Sequence, residues 1–428
     1  MKNGNSDEYF FENKSLSYKS HIDQFTADLY ENFNLKSEKI SLQSKIDALF
    51  NGEKVNYTEN QAAWHPKYRD EYTIDKSEIK FTELFNSAIN IVTIGIGGSF
   101  EGPKLLIESI GKTIANHLFI TGSDPEEFKE KTLYLNPKET IFIISSKSFT
   151  TDESIETLES AINWSGDLSR FVAITANKSE ALKYNIENVI EFDKEIGGRY
   201  SIWSDISLAA HWENNSELKD SFIRGGKQAD LDLKKDDAYL KFVKYLSFTD
   251  IWLHNFRKRN SRVVLSYIWK FRSLPNYIQQ LEMESLGKQP AKDSEFTKTG
   301  QIIFGGYGPQ AQHSYFQLLH QGTHEICADI ITSKEDTQNL SYAQAITQSR
   351  LLSFGADDLL GEEEKINANI PLNLFILNKV DSFTLGYLIA TWEHRTFITS
   401  VMLGINPFDQ FGVNAGKIYT KKYLAQKD

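Results

Sequence analysis

Six short segments of this chain hold side chains that could do chemistry. Gln279-Gln280-Leu281-Glu282-Met283-Glu284-Ser285 sets two acids two residues apart, which places them on different sides of a helix, so at most one enters a given pocket. Glu284 is the better candidate for a general base; Glu282 is expected to be solvated, and a surface carboxylate without chemistry is the alternative for either. Gly197-Gly198-Arg199-Tyr200-Ser201 puts an arginine after two glycines, in a loop able to bring its backbone close to a ligand. Arg199 carries a permanent charge suited to oxygens that become negative during reaction, unless it is a surface arginine in a flexible loop. Ser146-Lys147-Ser148-Phe149-Thr150-Thr151 crowds hydroxyls and a lysine where an apolar strand ends and a helix begins. Such hydroxyls can cap the helix. A phosphate monoester accounts for more of them, since hydroxyls and free backbone N–H groups bind a dianion without a large basic patch.

The other three segments are more ambiguous. Gly95-Ile96-Gly97-Gly98-Ser99 is a tight turn or a ligand-facing one; Phe100 stands where a dinucleotide fingerprint needs glycine, and no phosphate-loop Gly-Lys-Ser/Thr is present. His313 and His320 are seven apart, two turns along one helix face, too wide for a local His-x-x-x-His metal pair. Either could be an acid or base near neutral pH; a merely hydrogen-bonded histidine is the stronger reading for His320 than for His313. Gln410 and Lys417, also seven apart, share a face if their segment is helical, and a lysine there also suits a helix C-terminus.

These segments need a frame. β-Branched and apolar runs predict strands at 89–94, 117–121, 140–145, 171–174 and 189–192, and again at 261–265, 301–304, 326–331 and 372–377. Helices are expected at 15–49, 99–110, 151–162, 267–283 (with a break at Pro275), 311–321 and 342–352. Strands alternating with helices imply mostly parallel sheets covered on both faces, an α/β architecture. The polar run Lys234-Lys235-Asp236-Asp237 divides the chain into 1–235 and 236–428, two units of ordinary domain size.

Composition narrows the function. With 428 residues, 40% hydrophobic and 25% charged, the chain is globular rather than disordered. A net charge of -11 argues against nucleic acid as a partner. The apolar stretch 382–408 is interrupted by Glu393, His394 and Arg395, so a buried helix is expected rather than a membrane span. The start, Met1 to Glu8, lacks an apolar core, and the one cysteine, Cys327, rules out an internal disulfide. Both fit a reducing, cytoplasmic compartment.

Taken in order, the segments resemble the glucose-6-phosphate isomerase family. The likeness begins at Gly52-Glu53-Lys54-Val55-Asn56-Tyr57-Thr58-Glu59 with Trp64-His65 and runs through the six segments above to Lys417. It implies two flavodoxin-like, SIS-type doubly wound parallel-sheet domains with extra helices, a homodimer, a hexose 6-phosphate substrate, and no metal or other cofactor. Gly98 and Ser99 match the first sugar-phosphate loop, and Ser146, Lys147, Ser148 and Thr151 the phosphate pocket. Gly198 and Arg199 match the pair beside the reacting carbons, Gln280 a substrate-positioning amide, Glu284 the base, and Gln410 and Lys417 the last positions of the C-terminal signature. His313 matches the ring-opening histidine, supplied across the subunit interface and helped by Lys417. Leu286, Asn414, Gln61 and the loop 306–310 depart from the family pattern, the last beside His313. A sugar-phosphate-binding regulator on the same domains would need the 146–151 pocket but not Glu284, Arg199 and His313 together.

Overall fold

The computed structural model describes residues 9–22, 24–73, 84–213, 217–356 and 361–426; the opening residues examined for a leader lie outside these. Two sheets organise the chain. The first contains β3 (Asn90–Ile94), β4 (Asn116–Ile120), β5 (Thr140–Ser145), β6 (Phe171–Thr175) and β7 (Val189–Glu191). All are parallel, in the order β4-β3-β5-β6-β7. β3, β5 and β6 are buried at every position, as expected for continuous apolar runs covered on both faces.

The second sheet repeats this plan with β8 (Ser261–Ser266), β9 (Ile302–Tyr307), β10 (Ile326–Ser333) and β11 (Leu372–Leu377). They lie in the order β9-β8-β10-β11, and the N-terminal hairpin β1 (Phe10–Glu12) and β2 (Leu16–His21) extends the sheet beyond β11. β2 runs antiparallel to β11, with Tyr18 opposite Phe375. The helix expected from Ser15 therefore begins only at Ala27 (Ala27–Lys39, capped by Thr26). Leu16, Tyr18 and Ser20 instead point inward with the period of two of a strand. Position 235 ends the helix Glu217–Lys235, and Asp236 caps the next, Asp237–Phe256.

A central helix, Ser382–Leu403, packs Trp392 against Phe375 of the second sheet and is buried along nearly its whole length. It crosses Glu217–Lys235 backbone to backbone: a methyl on Gly225 would stand 1.9 Å from Phe383 O, and one on Gly386 2.0 Å from Phe222 O. Its polar triplet is neutralised in place. Glu393 pairs with Arg69 at 2.5 Å and accepts Trp203 Nε1 at 2.7 Å; His394 meets Asp230 at 2.8 Å. Arg395 donates to Asp250 and Asp329 at 2.7–2.8 Å. Buried charges persist only when paired in this way. Among the described residues no helix is long and apolar enough to cross a membrane.

Candidate active site

The order β4-β3-β5 makes neighbouring parallel strands send their chains away in opposite directions, which opens a crevice at the carboxyl ends of β3 and β5. The two loops leaving those ends are 95–99 and 146–151. The first starts the helix Gly98–Ile110; Ser99 is half-buried in its first turn. In the second, Ser146 Oγ accepts the N–H of Phe149 at 3.2 Å and lies 3.5 Å from Thr151 Oγ1. Ser148 Oγ accepts the Thr150 hydroxyl at 2.9 Å. Phe149, buried with φ +54°, turns the loop back on itself. Thr151 precedes the helix Asp152–Ser165 and makes no side-chain capping bond, so the first-turn amides remain for another acceptor. Lys147 reaches the surface, yet its surroundings desolvate the ammonium enough to pull its pKa below the usual lysine value. Hydroxyls, a lysine and uncapped first-turn amides thus lie on one short loop.

A backbone contact joins this edge to the arginine loop. A methyl on Gly98 would lie 1.9 Å from Gly198 O, so only glycine lets the two loops meet. Ser201 Oγ donates to Gly198 O at 2.6 Å. The next residue, Arg199, is 1% exposed, and its five N–H groups meet five acceptors. Nε donates to Ser285 Oγ at 2.7 Å, and Nη2 to the carbonyls of Pro407 and, at 3.1 Å, Asp409. Nη1 donates to Glu284 Oε2 at 3.1 Å and Gln410 Oε1 at 2.9 Å. Three donors thus fix the plane of the guanidinium, and two face side chains that a ligand could replace.

Glu284 sits on the helix Leu274–Leu286, which Pro275 opens rather than breaks, because proline's missing N–H costs nothing in the first turn. Gln280, one turn earlier, donates to Glu284 Oε1 at 3.1 Å, and its own Oε1 is buried without a partner. The Glu284 side chain is 35% exposed and lines a cavity of ≈ 650 Å³ with Lys288, Asp409 and Gln410. Glu282 reverses its expectation. It is 4% exposed, paired with Arg262 and accepting Trp392 Nε1 at 2.9 Å. The two acids do face different sides, but Glu282 faces the core and burial pushes its carboxyl up.

The early Gly52–Glu59 motif acts at one remove. Thr58 Oγ1 donates to Asp409 Oδ2 at 2.7 Å, and Asn406 Nδ2 to Asn56 Oδ1 at 2.8 Å. This segment anchors the strap 406–410, whose carbonyls hold Arg199. His65 stacks on Tyr200 at 4.5 Å, and the Tyr200 hydroxyl meets Ser285 Oγ at 3.0 Å. Sequence reasoning gave no role to Ser285, Lys288, Asp409 or Tyr200; their adjacency to Glu284, Gln410 and Arg199 was the available signal.

Two expected members stand apart. His313 is exposed in a turn between the helices Gly308–Ala311 and Phe316–Gln321, so it does not share a helix face with His320, whose Nε2 meets Gln348 Oε1 at 2.9 Å. Lys417 lies on the helix Asn414–Leu424, while Gln410 precedes the 3-10 turn Phe411–Val413 that leads into it, so they do not share a face either. Among the described residues neither His313 nor Lys417 bonds to Glu284 or Arg199. The departures place Leu286 in the core and Asn414 on the surface. No group of three or more His, Cys, Asp or Glu suited to a metal occurs among the described residues.

This geometry offers a carboxylate beside a fixed cation, with a hydroxyl-rich loop on the adjoining sheet edge. A model of the phosphoglucose isomerase family matches residues 74–428. A glucose-6-phosphate isomerase of Legionella pneumophila (strain Paris) is 33% identical over 416 residues, 89% of this chain and 83% of that protein. One from Rhizorhabdus wittichii is 32% identical over 437 residues, covering 93% and 86%. A crystal structure of a glucose-6-phosphate isomerase from Chlamydia trachomatis superimposes with a TM-score of 0.87 over 98% of this chain and 90% of that one, at 21% identity, a likeness of fold. By the family match and these relatives, this chain belongs to the phosphoglucose isomerase family.

Proposed function

We propose that this chain is a glucose-6-phosphate isomerase, interconverting glucose 6-phosphate and fructose 6-phosphate. The observation that carries the reading is Glu284: a carboxylate at the mouth of a cavity, one oxygen on Arg199 and the other on Gln280. Gly98, Ser99, Ser146, Lys147, Ser148 and Thr151 hold the phosphate, which orients the open chain against Glu284. Glu284 takes the proton from carbon 2 and returns it to carbon 1 on the same face of a cis-enediolate. No external oxidant or reductant enters, since carbon 2 is oxidised as carbon 1 is reduced. Arg199 balances the oxyanion with its fixed guanidinium fork, and the open space over Gly198 leaves room for the sugar. Gln280 and Gln410 place the sugar hydroxyls.

Ring opening needs a separate acid and base. We infer that His313 of the partner subunit supplies it, with Lys417, in a homodimer. Residues 410–426 are all exposed, among them Phe411, Ile418, Tyr419, Tyr423 and Leu424. A helix of eleven residues with no buried side chain is marginal alone, and a second copy of the chain would cover it. The same cover would dry Glu284, which a carboxylate base needs. A cytoplasmic location fits a phosphorylated substrate. Formation of glucose 6-phosphate from fructose 6-phosphate by the purified chain, followed through a coupled reaction, tests the function. Binding of fructose 6-phosphate without turnover would favour a regulator instead.

A further inference from the structure

Resting on the isomerase reading, we infer that Lys288 is a positioning residue: its ammonium clamps the carboxyl end of the Glu284 helix to the strap that holds Arg199. The helix Leu274–Leu286 ends two residues before Lys288, and Gly287 lets the chain turn back. Lys288 Nζ then donates to the carbonyls of Glu284 at 2.6 Å and Ser285 at 2.9 Å. These acceptors are left unpaired by the end of the helix, and a cation there also complements its dipole. The third direction of the ammonium faces Asp409 Oδ1 at 3.7 Å. Asp409 is buried; its other carboxylate oxygen takes the Thr58 hydroxyl, and its main-chain carbonyl takes Arg199 Nη2. One side chain therefore joins the backbone of the base to the support of the arginine, along the wall of the same cavity.

The clamp depends on charge. Three groups face the ammonium: Arg199 from its 3-10 turn, Asp409 from the strap and Glu284 from the helix. Burial, helped by Arg199, lowers the Lys288 pKa from its ordinary 10.5 to about 8, against the pull of Asp409 and Glu284. Above that pH a neutral amine keeps two N–H groups and loses its attraction for Asp409, so the base and the arginine can drift relative to each other. Stability moves the other way. The folded chain releases this proton at lower pH than the unfolded chain does, so between about 8 and 10.5 the unfolded state binds more protons and folding is favoured as pH rises. Loss of turnover in that window is then a loss of alignment rather than of fold.

The experiment compares kcat and KM for fructose 6-phosphate across about pH 6 to 10 in the wild type, Lys288→Arg and Lys288→Met, as full chains, with folding followed by circular dichroism. The wild type should lose kcat above a pH of about 8. Lys288→Arg should move that limb upward by at least about one unit, because a guanidinium stays charged. Lys288→Met should lower kcat roughly 10- to 10²-fold at all pH values, the scale of a small misplacement of a catalytic group, with KM little changed and no limb near that of the wild type. An active wild type whose alkaline limb is unmoved in Lys288→Arg overturns the Lys288 role alone, even if Lys288→Met does not fold. A wild type without isomerase activity overturns the function on which the role rests.

Discussion

Replacing Arg199 with lysine keeps the charge and removes the fork. The guanidinium has five N–H groups directed at Ser285 Oγ, Glu284, Gln410 and the carbonyls of Pro407 and Asp409. An ammonium has three, so at least two acceptors lose their donor. A buried acceptor left unpaired costs about 1–3 kcal/mol. Glu284 and Gln410 reach water and can recover part of that, whereas Ser285 and the Asp409 carbonyl are buried against the arginine. The destabilisation expected for Arg199→Lys is therefore about 2–4 kcal/mol, the lower half of the range for two such losses. Turnover should fall further, by about 10²–10³, the usual cost of removing one donor to a developing oxyanion. Urea unfolding and a coupled assay with fructose 6-phosphate measure the two separately. A variant within about 0.5 kcal/mol of wild type, the range of ordinary surface changes, and with near-normal kcat would refute the role given to the fork.

Two further predictions follow from the same geometry. Glu282→Ala strands Trp392 Nε1 and takes one carboxylate from Arg262, which still meets Asp250; it should cost about 3 kcal/mol in urea unfolding, the lower end for a broken buried pair, and a loss typical of a surface residue would show that Glu282 is not part of the core network. In a homodimer whose sites draw Glu284 from one subunit and His313 from the other, Glu284→Gln and His313→Ala are each inactive. Mixed and reassembled, they should regain about one quarter of wild-type activity, since about half the dimers are mixed and each holds one intact site; no recovery despite subunit exchange would place His313 in its own subunit's site or outside the chemistry.

The parallel strands were legible because β3, β5, β6 and β8–β11 are apolar runs whose period and length leave little choice. β2 was not. Its inward Leu16, Tyr18 and Ser20 alternate over only six residues, and the helical pattern from Ala27 onward overrode them. What makes those residues a strand is β11, more than 350 residues away. The same distance explains Glu282. Nothing near it in sequence distinguishes it from Glu284; Arg262 and Trp392, brought in from β8 and the central helix, decide which acid is buried. His313 and His320 seemed to share a helix because their spacing allows it, but residues 312–315 form turns between two short helices. Glycine spacing at 97–98 and 197–198 marked both loops without showing that they touch; the approach of Gly98 to Gly198 appears only in three dimensions.

The central claim is that Glu284 moves the proton, and Glu284→Gln tests it most directly. The amide preserves the shape and a hydrogen bond to either Arg199 or Gln280 but cannot accept a proton from carbon. In the coupled assay with fructose 6-phosphate, kcat should fall by at least about 10²-fold, the lower end for general acid–base catalysis, with the fold and sugar-phosphate binding retained. Near-normal turnover in that variant would contradict the account and assign the proton transfer to another group.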